Sequence, residues 1–290
     1  MNVNKKILIL GASGMLGSML FQHLSDENNL CVYGTYRNPE VKKFFKPELG
    51  EFLINVDVDS EVQLRHVIDT VSPHIIINCI GLVKKLNLNS MILEAININA
   101  RLPHTLNKIC KYHQSRLIQF STDCIFSGAK GMYTENDLMD AKDIYGVTKF
   151  LGEIPNSKNT LTIRTSIIGP EFNAGHSLLN WFLRQGDSVF GYRKAIFSGL
   201  PTIEIAKILK ELIIPNEELH GLYHLSGDPI SKYDLLTCIA KIYNKRIIIK
   251  PDDLIVIDRS LDSGKFKSVT GYQSKSWDVL VDEMHKTTIA

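Results

Sequence analysis

The sequence predicts an α/β fold, a doubly wound parallel sheet with helices on both faces, and three observations support this. Apolar runs of strand length alternate with helical stretches from Lys6 to Thr165, the pattern that βαβ units produce. The first apolar run ends in a glycine turn that opens directly into a helix. After Thr165 the alternation stops, and Gly169-Pro170, Gly175, Gly186, Gly191 and Gly199 punctuate a stretch carrying Trp181, Phe182, Phe190 and Phe197. That stretch reads as a smaller, looser region folded over the edge of the sheet.

The elements follow in order. Residues 6–10 (Lys-Ile-Leu-Ile-Leu) form the first strand, Gly11-Ala12-Ser13-Gly14-Met15-Leu16-Gly17 the turn, and residues 18–24 a helix. Strand, glycine turn and helix are the context that a dinucleotide fingerprint requires. Gly11 permits the tight turn, Gly14 lets the backbone approach a pyrophosphate, and Gly17 brings the helix close to the sheet. Ser13, Met15 and Leu16 complete the helix N-terminus that faces the phosphates. The spacing is Gly-x-x-Gly-x-x-Gly rather than Gly-x-Gly-x-x-Gly, and an ordinary strand-to-helix turn is the competing reading. The second strand covers residues 30–35, and its end should meet the adenosine ribose. An NAD site places an acidic residue there, about 20 residues beyond the glycines, whereas an arginine accommodates the 2′-phosphate of NADP. Gly34-Thr35-Tyr36-Arg37-Asn38 holds no carboxylate before Glu40, and the planar fork of Arg37 suits a phosphate. The expected cofactor is NADPH, with NADH as the second option. Further strands are expected at residues 52–56, 74–78, 116–120 and 161–165, and helices at 61–71, 90–113, 143–153 and 178–183. The sheet is Rossmann-like, with residues 1–165 as the dinucleotide-binding domain. Residues 166–290 are mainly a substrate-binding region, some segments of which return to the sheet.

Bulk properties narrow the function. A chain of 290 residues can bury a full core,. Its net charge of +2 and 22% charged residues point away from nucleic acid and from a polybasic membrane contact. Five cysteines (Cys31, Cys79, Cys110, Cys124, Cys238) lack Cys-x-x-Cys spacing, which argues for reduced thiols and against a zinc site or disulfide frame. No metal is expected. Met1 to Lys6 runs straight into the first strand, so no signal peptide is expected. The longest apolar stretches, such as residues 75–83, are far short of a membrane span,. The expectation is a cytoplasmic protein.

The chemistry centres on Tyr145-Gly146-Val147-Thr148-Lys149, with Ser121-Thr122-Asp123 upstream. A helix places positions i and i+4 on one face, so phenol and ammonium can act on the same point. A nearby ammonium favours the phenolate, and the Tyr145 pKa is expected to fall below its usual value of about 10. The Thr122 hydroxyl could hold a carbonyl oxygen against that tyrosine. Such a set hands a proton to a ketone beside a hydride carrier. The competing reading is an amphipathic helix with a solvated lysine.

Together these motifs resemble the extended short-chain dehydrogenase/reductase family, most closely its dTDP-4-dehydrorhamnose reductase branch, over nearly the whole chain. Gly11 to Gly17 is similar to that branch's opening. Ile75-Ile76-Ile77-Asn78-Cys79-Ile80-Gly81 is similar to its fourth strand and the loop over the cofactor. Ile98-Asn99-Ala100 resembles its helix asparagine. Ser121-Thr122-Asp123-Cys124-Ile125-Phe126-Ser127-Gly128 resembles Ser-Thr-Asp-Tyr-Val-Phe-x-Gly. Residues 145–153 match Tyr-Gly-x-Thr-Lys-x-x-Gly-Glu. Ile163-Arg164-Thr165-Ser166, Gly221-Leu222-Tyr223-His224-Leu225 and the spacing of Arg259 and Ser263 complete the set.

The resemblance implies roles. Thr122, Tyr145 and Lys149 are the expected catalytic residues. Cofactor binding falls to Gly11, Ser13, Gly14, Met15, Leu16, Gly17, Arg37, Asp57, Val58, Cys79, Ile80, Gly81, Asn99, Tyr145 and Lys149. Asp57 stands on the adenine side and Asn99 in the proton-relay neighbourhood. Asp123 and Arg259 are the expected substrate contacts. His176, Arg184, Arg193 and Lys194 are further candidates for the diphosphate or sugar, each opposed by a solvated-surface reading. His104 and His113 lack ligand-like spacing. Dehydrating members carry Thr-Asp-Glu, and Cys124 takes the place of that Glu, which removes a general acid-base and argues against dehydration. Lys84 and Lys85 stand where the branch has an acidic stretch, so any metal or dimer contact made by those acids is not carried over.

The implied reaction is NADPH-dependent reduction of a 4-keto-6-deoxy-hexose on a nucleoside diphosphate, as in deoxysugar and cell-surface polysaccharide synthesis. The alternatives are a nucleotide-sugar epimerase and a non-catalytic cofactor-binding regulatory subunit, since one relative of the branch is a regulatory subunit of methionine adenosyltransferase. A homodimer through the long helices is an analogy from the wider family.

Overall fold

Side chains of the first strand, β1 (Lys5–Leu10), alternate between two buried faces: Ile7 and Ile9 enter one hydrophobic layer, Leu8 and Leu10 the other. Successive side chains of a strand point to opposite faces, so a strand apolar at every position needs cover on both. The computed structural model describes residues 4–83, 90–172 and 177–289, and it supplies that cover. α1 (Met15–Ser25) packs Leu16, Leu20, Phe21 and Leu24 onto the Ile7/Ile9 face. β2 (Leu30–Tyr36) and β3 (Leu53–Asn55) follow. α2 (Glu61–Val71) crosses to the other face and buries Leu64, Val67, Ile68 and Val71. β4 (Ile75–Asn78) is buried throughout. α3 (Ile92–Ala95) runs on through a π-turn at Ile96–Arg101 into α4 (Leu102–His113), which covers the α2 side with Leu102, Leu106, Ile109 and Cys110. β5 (Arg116–Thr122), α5 (Ile144–Leu151) and β6 (Thr160–Thr165) close the alternation.

Beyond Thr165 come β7 (Ile167–Ile168), α6 (Leu178–Arg184), β8 (Ser188–Tyr192), β9 (Ala195–Phe197), β10 (Leu200–Pro201) and α7 (Thr202–Ile208). They are followed by β11 (Gly221–His224), β12 (Ile230–Ser231), α8 (Lys232–Ile242), β13 (Ile248–Asp252), β14 (Ile257–Asp258), α9 (Gly264–Thr270) and α10 (Trp277–Ile289). The main sheet has seven strands in the order β3-β2-β1-β4-β5-β6-β11, and every pairing is parallel. This is a Rossmann-like doubly wound sheet whose order reverses between β1 and β4, the place where such sheets open a binding crevice. The C-terminal part forms small sheets, β10-β7, β12-β9-β14 and β13-β8. Its own core gathers Leu179, Phe182, Leu235, Leu236, Ile239, Val281 and Met284. Among the described residues of that part, β11 joins the main sheet.

Two elements differ from the sequence expectation for physical reasons. The third strand begins at Leu53 because Pro47–Phe52 winds as a 3₁₀ helix. The long helix expected over 90–113 contains Pro103, which has no N–H to give to the carbonyl of Asn99. The ladder widens there, with the Leu102 N–H donating to the Asn97 carbonyl five residues back, which is a π-turn of the kind found at functional sites.

Candidate functional site

The C-terminal ends of β1, β4, β5 and β6 frame a cleft of 1020 Å³. At one side stand Gly14, Met15 and Leu16, the start of α1. That helix has no side-chain cap and no acidic residue in its first turn, so its free N–H groups and positive dipole end are left for an anion. Gly11 adopts φ +82°, a conformation that side chains rarely take,. A Cβ on Gly17 would lie 2.1 Å from the Gly11 carbonyl oxygen, so helix and turn touch backbone to backbone. The cradle therefore fits the pyrophosphate of a dinucleotide. The turn is tied to β2 by Gly11 N–H to Thr35 Oγ1 at 3.1 Å and Ala12 N–H to the Thr35 carbonyl at 2.8 Å. Ser13 is half-buried within it. Arg37 follows β2 and is exposed, while Asp57 and Val58 follow β3 at the same end of the sheet. The Asp57 carboxylate accepts from the Asp59 N–H at 3.2 Å.

The floor is built by β4 and β5. Asn78 Nδ2 donates to Gln119 Oε1 at 2.8 Å, and Asn78 Oδ1 accepts from the Ile80 N–H at 3.1 Å, which shapes the turn carrying Cys79, Ile80 and Gly81 into the cleft. Asn99, in the π-turn, clasps the same segment. Its Oδ1 accepts from the Leu82 N–H at 2.9 Å, and its Nδ2 donates to the Leu82 carbonyl at 3.1 Å and to Thr148 Oγ1 at 3.2 Å. Asn99 thus joins the β4 loop to α5.

Thr122, Asp123, Cys124, Tyr145 and Lys149 all line the cleft. Asp143 caps α5, accepting from the Gly146 N–H at 3.0 Å, and the next turn presents Tyr145 and Lys149 on one face. The Thr122 hydroxyl donates to Asp123 Oδ1 and accepts from the Cys124 N–H, both at 3.1 Å, and it also acts on the Tyr145 phenol. The Lys149 ammonium donates to the Phe120 carbonyl at 2.7 Å. Burial pulls its pKa down to about 8, opposed by the Glu153 charge and Cys79. Tyr145 departs from the expectation. Its pKa is raised, chiefly by burial and then by Cys124, and the Thr122 hydroxyl opposes the rise. The ammonium is turned to the Phe120 carbonyl, so desolvation of the phenolate prevails. The phenol is held as a protonated donor.

Burial also raises the Asp123 pKa, opposed by hydrogen bonds with Cys124 and Thr122 and by the charges of Arg259 and Lys232. The Cys124 thiol is pushed up to about 12 by burial. Arg259 Nε donates to the Phe126 carbonyl at 2.7 Å, so Arg259 bears on Asp123 through its charge and is not among the cleft-lining residues. Arg193 pairs with Asp253, and Arg184 and Lys194 are exposed away from the lining. His104 Nε2 meets the Leu151 carbonyl at 2.7 Å and His113 lies 3.3 Å from Asp69, both structural contacts. Lys84, Lys85 and His176 lie outside the described residues. Among the described residues no group of three or more His, Cys, Asp or Glu could hold a metal ion, and no helix is long and apolar enough to cross a membrane.

The far wall comes from the C-terminal part: Trp181 of α6, Phe190 and Tyr192 of β8, Phe197 of β9, and Lys232 and Leu236 of α8. The aromatics were visible as a cluster in sequence. Nothing local marked Lys232, which enters because α8 starts at the rim. Sequence reasoning also missed Asn78 and Gln119, and the buried set behind the floor. There Ser121 Oγ donates to Glu153 Oε1 at 2.6 Å, and Arg164 grips both Glu153 oxygens at 2.8 and 2.7 Å.

Comparison with known proteins agrees with this geometry. The model of the RmlD substrate binding domain matches residues 5–253. A dTDP-4-dehydrorhamnose reductase of Aggregatibacter actinomycetemcomitans is 27% identical over 249 residues, covering 81% of this chain and 78% of that protein. Methionine adenosyltransferase 2 subunit beta of Mus musculus is 24% identical over 323 aligned positions, covering 99% of this chain and 91% of that protein. The solved dTDP-4-dehydrorhamnose reductase of Bacillus anthracis, a complex with NADP, shares the fold with a TM-score of 0.78 at 20% identity, over 98% of this chain and 99% of that one. With a family model spanning the sheet, the cleft and most of the C-terminal part, the chain belongs to the RmlD substrate binding domain family.

Proposed function

We propose that the protein is an NADPH-dependent reductase of a nucleoside-diphosphate-linked 4-keto-6-deoxy-hexose, acting in the cytoplasm in deoxysugar synthesis. The observation that carries this reading is the Thr122–Tyr145–Lys149 set at the floor of a cleft that begins at the bare N-terminus of α1. In this reading residues 1–165 hold the cofactor and residues 166–290 mainly the sugar nucleotide. Gly11, Gly14, Gly17 and the α1 N–H groups would hold the pyrophosphate, and Arg37 the 2′-phosphate. When bound, NADPH supplies the hydride. Thr122 and Tyr145 orient the substrate carbonyl oxygen, and Tyr145 gives it a proton. Lys149 stabilises the resulting phenolate and reaches toward the nicotinamide ribose. Asp123 contacts the sugar.

The test follows NADPH absorbance with dTDP-, UDP- and GDP-4-keto-6-deoxy sugars, with NADH in parallel. Oxidation with one sugar is expected, and faster with NADPH. Tight NADPH binding with no oxidation by any sugar defeats the reading. A second reading, a cofactor-binding regulatory subunit, draws on the full-length similarity to methionine adenosyltransferase 2 subunit beta. It predicts that the protein alters the kinetics of a methionine adenosyltransferase, and that replacing Tyr145 leaves this effect intact.

A further inference from the structure

We propose that Glu153 is a positioning residue of this site: its buried carboxylate clamps the helix bearing Tyr145 and Lys149 to the end of β5 and supplies the counter-charge to the Lys149 ammonium. Two consecutive residues of β5 are gripped from the α5 side. Phe120 offers its carbonyl to Lys149 Nζ at 2.7 Å, and Ser121 Oγ donates to Glu153 Oε1 at 2.6 Å. The next residue is Thr122, which lines the cleft together with Tyr145. A shift of α5 along β5 would therefore break both grips and separate Thr122 from the phenol.

Glu153 is itself held. Arg164 of β6 binds both its oxygens, at 2.8 and 2.7 Å, with each side chain only 4% exposed. Arg164 Nη1 also meets His224 Nε2 of β11 at 3.2 Å. Gly152, just before Glu153, is packed so tightly that a Cβ would lie 2.0 Å from the Asn99 carbonyl oxygen. The carboxylate thus sits in a frame made by α5, β5, β6, β11 and the π-turn. A buried ion pair is a weak source of net stability, because desolvating both charges offsets their attraction. Holding Ser121, next to the Phe120 carbonyl that receives Lys149, is a use that the geometry supports.

The ionisable groups acting on Lys149 are Glu153 and Cys79, both of which favour its charged form against burial. The thiol is itself kept protonated by burial, and the other close neighbours, Gly81 and the amide of Asn99, carry no charge. Among the described residues Glu153 is the carboxylate that acts on Lys149.

The role assigned to Lys149 rests on the reductase reading, so the first readout is independent of it. Protein labelled with ¹³C-lysine is titrated by NMR, with the Lys149→Met spectrum identifying the Lys149 signal. In Glu153→Gln the Lys149 midpoint should fall from about 8 by about one pH unit or more, the usual effect of losing a close opposite charge. The alkaline limb of NADPH oxidation should move with it. Glu153→Gln with Arg164→Met removes the stranded guanidinium and gives the same test should the single variant fail to fold. An unchanged midpoint in the folded variant overturns the proposal, even if Tm falls, because a merely structural pair would lower Tm alone. A lowered midpoint without turnover by wild type supports the coupling and overturns the reductase reading.

Discussion

Tyr145 and Lys149 owe their character to depth as much as to identity. A phenol in water loses its proton near pH 10; here burial holds it on, so in the proposed reaction Tyr145 is the donor, and the phenolate it leaves needs a positive charge nearby. Lys149, drawn down to about 8, still carries a positive charge at neutral pH. Replacing Tyr145 by Phe removes the donor and leaves the ring's packing. Turnover should drop about 100-fold to 10,000-fold, the range for a lost general acid, while the NADPH Kd measured by fluorescence stays within about threefold. A variant that keeps wild-type turnover would remove Tyr145 from the mechanism.

At the scale of elements, the contacts that matter are backbone on backbone. α1 lies so close to the turn after β1 that Gly17 has no space for a methyl group against the Gly11 carbonyl. No side chain can yield there, because the obstructing atom belongs to the main chain. Gly17→Ala should cost about 2–3 kcal/mol, as overpacking does, and lower Tm by roughly 5 °C. NADPH affinity should fall as well, since α1 must move away from the turn. Gly50 offers a control, with nothing within 4 Å of its added Cβ, and Gly50→Ala should leave Tm and binding unchanged. Equal effects of the two substitutions in calorimetry would refute this account. The π-turn works at the same scale. By widening the ladder before Pro103 it gives Asn99 the reach to hold Leu82 and Thr148 together.

Across the whole molecule, β6 and β11 are joined by a buried polar set that links the site to the C-terminal part. His224 is fully buried, with Nδ1 at 3.0 Å from the Tyr133 carbonyl and Nε2 facing Arg164. These partners fix a neutral ring that donates from Nδ1 and accepts at Nε2. Burial, followed by the Arg164 charge, lowers its pKa from 6.5 to about 4. Between those values the unfolded chain takes up a proton that the folded chain refuses. Stability is therefore complete above about 6.5 and declines as pH falls toward about 4, by roughly 3 kcal/mol from this residue. Urea unfolding at pH 7 and pH 4.5 should show a larger acid loss in wild type than in His224→Asn. Equal losses would place the acid sensitivity elsewhere.

Much of this was legible in order along the chain. The strand period, the glycine turn and the Tyr-x-x-x-Lys spacing are local, set by backbone sterics and by the two side-chain periodicities, so β1, α1, β4, β5 and α5 could be placed from residues alone. The family likeness came from the same ordered motifs, and the family model bears it out. The tertiary structure decided what depends on distant neighbours. Depth turned the expected lowering of the Tyr145 pKa into a rise, because desolvation is a property of the packed site and not of i, i+4 spacing. Arg259 donates to the Phe126 carbonyl and bears on Asp123 by its charge, a pairing that no local spacing marks. Lys232 reached the cleft, and Glu153 met Ser121 and Arg164, only when separate elements were brought together. A sequence sets which groups exist and how local backbone turns them; charge, burial and partner are set by residues far along the chain that arrive in the same few ångströms.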